Sequence, residues 1–156
     1  MIQRIQSLYL LLVTIFMGVS LLFPLATFTI GGEEITVSAF AISSDKAGDF
    51  SHLSLSIGIA LALSALLPFV VIFLYKRRML QIRLCGIEVA LLIGDVALMV
   101  ASYIIMNNAA AEIAPDHNSV IGLAVVTPLA SLILTVLAMR ATLRDELLVR
   151  SLDRIR

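Results

Sequence analysis

Of 156 residues, 60% are hydrophobic and 14% are charged, with a formal net charge of zero. The mean hydropathy is +1.06, which leaves too little polar surface to cover a water-soluble globule. The composition excludes a soluble domain and predicts a membrane protein. A single cysteine, Cys85, excludes an internal disulfide. Its place at the start of the third apolar run, toward the cytoplasmic side, predicts a reduced structural thiol.

The first run is uncharged from Ile5 to Gly32. It is longer than a signal-peptide core and has no convincing cleavage site around Pro24 to Phe28, so a retained helix over 5–28 is expected. Pro24 falls about 30 Å along that helix from Arg4, at the far interface, where a break is tolerated. Ala26 to Ile30 and Glu33 to Phe40 then alternate β-branched and aromatic residues around Gly31-Gly32, which predicts a short extracytoplasmic β-hairpin inside an outer loop spanning 29–51.

A second helix is expected over 52–75. Ser54, Gly58 and Ala62, and Ser56, Ala60 and Ser64, form small-residue rows that permit close helix approach. Tyr75 is placed as an interfacial anchor. The basic turn Lys76-Arg77-Arg78 and Arg83 leads into a third helix over 82–106, followed by an outer loop over 107–118 and a fourth helix over 119–139. The tail, 140–156, is helix-compatible: Leu148, Leu152 and Ile155 share one side, and Glu146 lies four residues before Arg150. It is expected to continue the fourth helix or to lie along the membrane surface.

Charge sets the orientation. One face holds ten of the eleven basic residues and three acidic ones, a balance of +7. The other face holds Lys46 and six acidic residues, a balance of −5. Basic residues mark the cytoplasmic side, so both termini are expected there. The expected fold is an all-α four-helix membrane bundle, one integral domain over 1–156. Its basic face is read as topology and contact with anionic lipid headgroups, with no nucleic acid among the expected partners.

Two charges remain inside the spans, Glu88 and Asp95, on nearly the same face of the third helix. Counted from Arg83, Asp95 lies about 18 Å deep, near the middle of a hydrocarbon core about 30 Å thick. The same arithmetic from the basic edges brings Ser64 and Pro128 to that level, with Thr127, Ser131 and Thr14 close by. Pro128 cannot donate to the carbonyl of Ala124. The expectation is that a neutral Asp95 donates to that carbonyl or to one of the hydroxyls, since the spans carry no Lys or Arg to pair with it. Glu88 is shallower and is expected to form an interfacial ion pair with Arg83 or Arg140.

No glycine-rich phosphate loop, paired cysteines, metal-ligand spacing or nucleophile elbow is present. His52 and His117 are single residues in or beside outer loops and are expected to be solvated. No enzyme, cofactor or metal is expected.

Three stretches together carry a resemblance. They are Met1-Ile2-Gln3-Arg4-Ile5-Gln6; Tyr75-Lys76-Arg77-Arg78 with Leu80-Gln81-Ile82-Arg83-Leu84-Cys85; and the run from Arg144 to Arg156 beginning Arg144-Asp145-Glu146-Leu147-Leu148. With them the chain resembles, over essentially its whole length, a family of short four-helix membrane proteins of unknown function from one group of Gram-negative bacteria. The resemblance implies a bacterial inner-membrane location and the same four-helix plan, and no known activity.

The expected role is an accessory or scaffold subunit contacting a larger envelope complex, with Arg144, Arg150, Arg154 and Arg156 meeting a partner or anionic lipid. The alternative is a small self-associating transporter or channel, coupled to protons or cations through Asp95.

Overall fold

The computed structural model describes residues 2–43, 51–74 and 77–153. Four helices dominate: α1 Ile2–Leu22, α2 Ser51–Phe73, α3 Arg78–Ile113 and α4 Val126–Asp153. Each contains a stretch long and apolar enough to cross a membrane. The expectation of a four-helix membrane protein is met at that level.

The helices pack by a shared spacing. The buried positions are Gln6, Leu10, Val13, Met17 and Ser20 on α1; Ser54, Ile57, Leu61, Ser64, Pro68 and Val71 on α2; and Pro128, Ser131, Thr135, Ala138 and Thr142 on α4. On α3 they run through Gln81, Cys85, Glu88, Leu92, Asp95, Met99, Ser102 and Met106. Each series steps alternately by three and four, the 3.5-residue period of a coiled-coil-like seam. The opposite faces carry exposed Leu, Ile, Val and Phe, as a surface facing lipid requires.

α1 and α3 each pack against both α2 and α4. Leu10, Val71, Cys85 and Ala138 meet in one cluster, and Val13, Met17, Ile57, Leu61, Leu92, Met99 and Ala124 in another. Residue numbers rise along α1 and α3 and fall along α2 and α4 between these clusters, so the bundle runs up, down, up, down. α1 begins and α4 ends at the end that bears Arg77, Arg83 and Arg140, here the basic end.

At the other end lies a three-stranded antiparallel sheet of β1 Ala26–Ile30, β2 Glu33–Val37 and β3 Asn118–Ile121, in the order β2-β1-β3. The expected hairpin is present, with φ of 60° at Gly31 and 88° at Gly32, a left-handed turn that favours glycine. The third strand was not expected. It moves the start of α4 from 119 to Val126, with a short 3₁₀ turn, Leu123–Val125, between strand and helix. Three other boundaries shift. α1 ends at Leu22 and not at 28, because Pro24 and strand β1 follow directly. α3 starts at Arg78 and continues through Ile113, so most of the expected outer loop is helix. The tail continues α4 to Asp153.

At 36 residues α3 is about 54 Å long, against about 32 Å for the 21 residues of α1. The sheet packs on the overhang: Ala26, Phe28 and Val37 bury against Met106 and Ala110, and the Phe28 ring stacks on Tyr103 with centroids 5.8 Å apart. His117 is tied down rather than solvated, with its ring nitrogens 3.0 Å from the Ala114 carbonyl and 3.1 Å from Asn107 Oδ1. It thereby closes the end of α3. His52 is exposed, as expected.

Gly58 does not serve helix approach. A side chain there would collide with the Phe40 ring and the Ala39 carbonyl, so this glycine admits the loop after β2. Ser54 bonds to the Ser38 carbonyl at 2.9 Å in the same seam. Gly122 is tighter still: its N–H bonds to the Leu25 carbonyl at 2.8 Å, and a Cβ would strike the Pro24 carbonyl. Gly122→Ala is therefore expected to pry β3 from the Pro24–Leu25 segment and cost about 1–3 kcal/mol. A fall in the thermal unfolding midpoint of the detergent-solubilised protein measures it, with Gly86→Ala, which meets open space inside α3, as a control that is expected to hold or raise the midpoint.

Candidate functional site

Along α3 every second buried seam position is polar: Gln81, Glu88, Asp95 and Ser102, seven residues apart and so about 10.5 Å apart along the axis. The positions between them, Cys85, Leu92, Met99 and Met106, are nonpolar or thiol. Glu88 is 1% exposed and Asp95 2% exposed. Both carboxyls therefore sit in the bundle interior and not on a face open to lipid.

The burial of Glu88 corrects the expected ion pair. Arg83 and Arg140 are exposed, and neither oxygen of Glu88 has a hydrogen-bond partner within the protein. The seven-residue spacing is the physical reason: it places Glu88 on the same inward seam as Asp95, whereas Arg83 lies off that seam. The Glu88 carboxyl instead interacts electrostatically with Asp95 and with the Cys85 thiol.

The expected role of Asp95 at the Ala124 carbonyl is also corrected. That carbonyl accepts from Thr127 Oγ1 at 2.8 Å and from Ser20 Oγ at 3.1 Å. Pro128 lies in the first turn of α4, where backbone N–H groups have no helical acceptor in any case. It breaks nothing there.

The proline that matters to Asp95 is on α2. Pro68 is buried in the helix interior, and it cannot donate to the carbonyl four residues earlier, which belongs to Ser64. Asp95 interacts with the Ser64 side chain, although the hydroxyl and Asp95 Oδ2 do not reach hydrogen-bond geometry. By register from the cluster at Cys85, Val71 and Ala138, Ser131 of α4 falls level with Ser64 and with Leu92, about one helical turn from Asp95. Its hydroxyl also has no partner within the protein. Of the expected polar layer, the structure brings together Asp95 and Ser64, with Ser131 level with Ser64 by register. Thr127 and Pro128 serve the start of α4.

The row extends toward both ends. Gln6 and Gln81 are buried toward the basic end, and Gln6 Nε2 is unpartnered. Ser102 is 3% exposed toward the sheet, with its hydroxyl unpartnered. These three residues escaped the sequence reading, although the spacing of Gln81, Glu88, Asp95 and Ser102 carries the signal. Thr135 and Thr142, also buried, bond to the carbonyls of Ser131 and Ala138 in their own helix, at 2.8 and 2.9 Å. Among the described residues no group of three or more His, Cys, Asp or Glu side chains could hold a metal ion. Arg144 is exposed on α4. The Arg150 side chain and residues Tyr75, Lys76, Arg154 and Arg156 lie outside the described residues, and the expectations placed on them lie there too.

A family model, the domain of unknown function DUF4293, matches residues 2–155. The chain belongs to that family. No curated protein matches it. Family membership agrees with the whole-length resemblance and, like it, brings no activity, so the chemistry of this DUF4293 protein has to be read from its interior.

That interior makes a prediction about stability. An unpaired buried carboxyl destabilises a bundle relative to an apolar side chain of similar volume. Glu88→Met is expected to stabilise the DUF4293 bundle by about 1–3 kcal/mol. The check is a higher thermal unfolding midpoint in detergent, with Leu92→Ala lowering it in the same assay as expected for a core cavity.

Proposed function

We propose that this DUF4293 protein is a multi-pass membrane protein that takes up and passes protons through its interior, with Glu88 and Asp95 as the groups that carry them. The observation that supports this reading most is the layer at Asp95. A neutral carboxyl needs an acceptor for its proton, and Pro68 withholds its helical donor from the carbonyl of Ser64, the residue whose side chain meets Asp95. An ionised carboxyl needs donors, and the hydroxyls of Ser64 and Ser131 are buried and uncommitted. Groups within about one helical turn of Asp95 thus suit both protonation states, which a purely structural hydrogen bond would not require. Proton relays through membranes are built from acids placed in this way.

The accessory-subunit reading draws on the exposed apolar faces and on the basic end. Lipid requires the same faces, and the orientation rule the same charges, so neither feature favours a partner. A partner that neutralised Asp95 with its own cation would have to reach a side chain only 2% exposed, and this separates the two readings. An inner-membrane location with both ends cytoplasmic accompanies the proposal, on the charge balance of the two faces.

Purified protein in liposomes under a pH gradient, read with a trapped pH-sensitive dye, tests the proposal. Wild-type vesicles are expected to dissipate the gradient faster than protein-free ones, Asp95→Asn to fall to the protein-free rate, and Glu88→Gln to slow the flux severely. Equal rates for wild type and Asp95→Asn would overturn the reading.

A further inference from the structure

Between the sheet and the bundle lies a cavity of about 190 Å³. Ala26, Phe28 and Val37 of the sheet, Ile57 of α2, and Met99 and Met106 of α3 form much of its wall. Two lining residues are polar, Ser102 and Tyr103. The Tyr103 hydroxyl is already bonded to Ser119 Oγ at 2.9 Å, whereas the Ser102 hydroxyl is buried with no partner within the protein. The cavity therefore offers an apolar volume with one uncommitted hydroxyl buried in its wall.

Its mouth can be located. Val100 and Ile121 both line the cavity and are exposed on the outside, at 48% and 57%. The opening thus faces sideways at the level of Val100, about 25 Å along α3 from Arg83, at the outer part of a hydrocarbon core about 30 Å thick when Arg83 marks its edge. A cavity of about 150 Å³ lined by apolar side chains accepts a benzene-sized guest, so this one has room for a short length of hydrocarbon chain. Met99 and Met106 on its wall are unbranched and adapt to the shape of a guest.

We propose that this cavity binds the carbonyl-bearing end of a fatty acyl chain that enters from the bilayer. The first methylenes fill the apolar space and the Ser102 hydroxyl donates to the carbonyl oxygen. A polar ligand would find no match in the apolar lining, and a bare alkane would leave the Ser102 hydroxyl unsatisfied. The proposal is independent of proton transfer at Asp95.

The test uses the whole protein in phosphatidylcholine liposomes with two photoactivatable probes, a palmitic acid methyl ester and an alkane of the same length, each bearing a diazirine near one end. In the ester this is the carbonyl end. Adducts are mapped by mass spectrometry of peptides. The ester is expected to label the segments around Met99–Met106 and Phe28 in preference to the lipid-facing residues Leu8, Ile15 and Ile133. Ser102→Ala should cut ester labelling there about fivefold and leave alkane labelling unchanged. Ala26→Leu, which fills the cavity, should abolish both, with an unchanged unfolding midpoint as the control for folding. Labelling spread evenly over the lipid-facing helix surfaces would overturn the proposal. So would ester labelling that Ser102→Ala leaves at the wild-type level.

Discussion

A bundle surrounded by lipid has no solvent to satisfy the polar groups that it turns inward, so each of them must find its partner within the chain or exchange something mobile. This constraint organises the structure. Ser20, Ser54, Thr127, Thr135 and Thr142 meet it locally, each donating to a backbone carbonyl. Gln6, Ser64, Glu88, Asp95, Ser102 and Ser131 do not meet it with the partners the fold supplies. All six belong to the inward seams of the four helices.

The sheet follows from a mismatch of lengths. α1 ends at Leu22 and α4 begins at Val126, while α3 continues through Ile113. The overhanging side of α3 would face outward alone, and the strands on either side of β1 come from the two connections that must bridge that gap. Close backbone approach of Gly122 to Pro24 and Leu25 locks the two connections together. The cavity lies beneath the sheet, between β1, β2 and the seams of α2 and α3.

Much of this was legible in the sequence. Four apolar runs separated by charged or glycine-containing segments gave the spans, and Gly31-Gly32 between alternating β-branched residues gave the hairpin. β3 was hidden because Val120 and Ile121 continue without a polar break into the apolar start of α4, so hydropathy alone joins them to the helix. A strand of four residues, Asn118–Ile121, has too few positions to display a period of two. The long α3 was cut short because Asn107 and Asn108 look like loop residues, and tertiary contact with the sheet overrides that preference.

The candidate site was half legible for a different reason. Depth counted from the basic edges brought Asp95 to within about a turn of Ser64 and Ser131, since a helix rises at a fixed rate. Depth does not reveal direction, and the inward seam has a period of 3.5 that depth counting ignores. Glu88 was therefore assigned to the interface by its distance from Arg83, when its seven-residue separation from Asp95 places it inside. That separation also bears on mechanism. At about 10.5 Å along the axis the two carboxyls are too far apart to exchange a proton directly, and Leu92 stands between them on the same seam. A transfer between them has to pass over groups from the facing helices. By register, Ser131 and Thr135 of α4 occupy that interval. Thr135 is committed to the Ser131 carbonyl at 2.8 Å, which leaves the Ser131 hydroxyl as the side chain on α4 free to take part. On this geometry Glu88 and Asp95 are two stations rather than one shared site, and the step between them depends on the neighbouring helix.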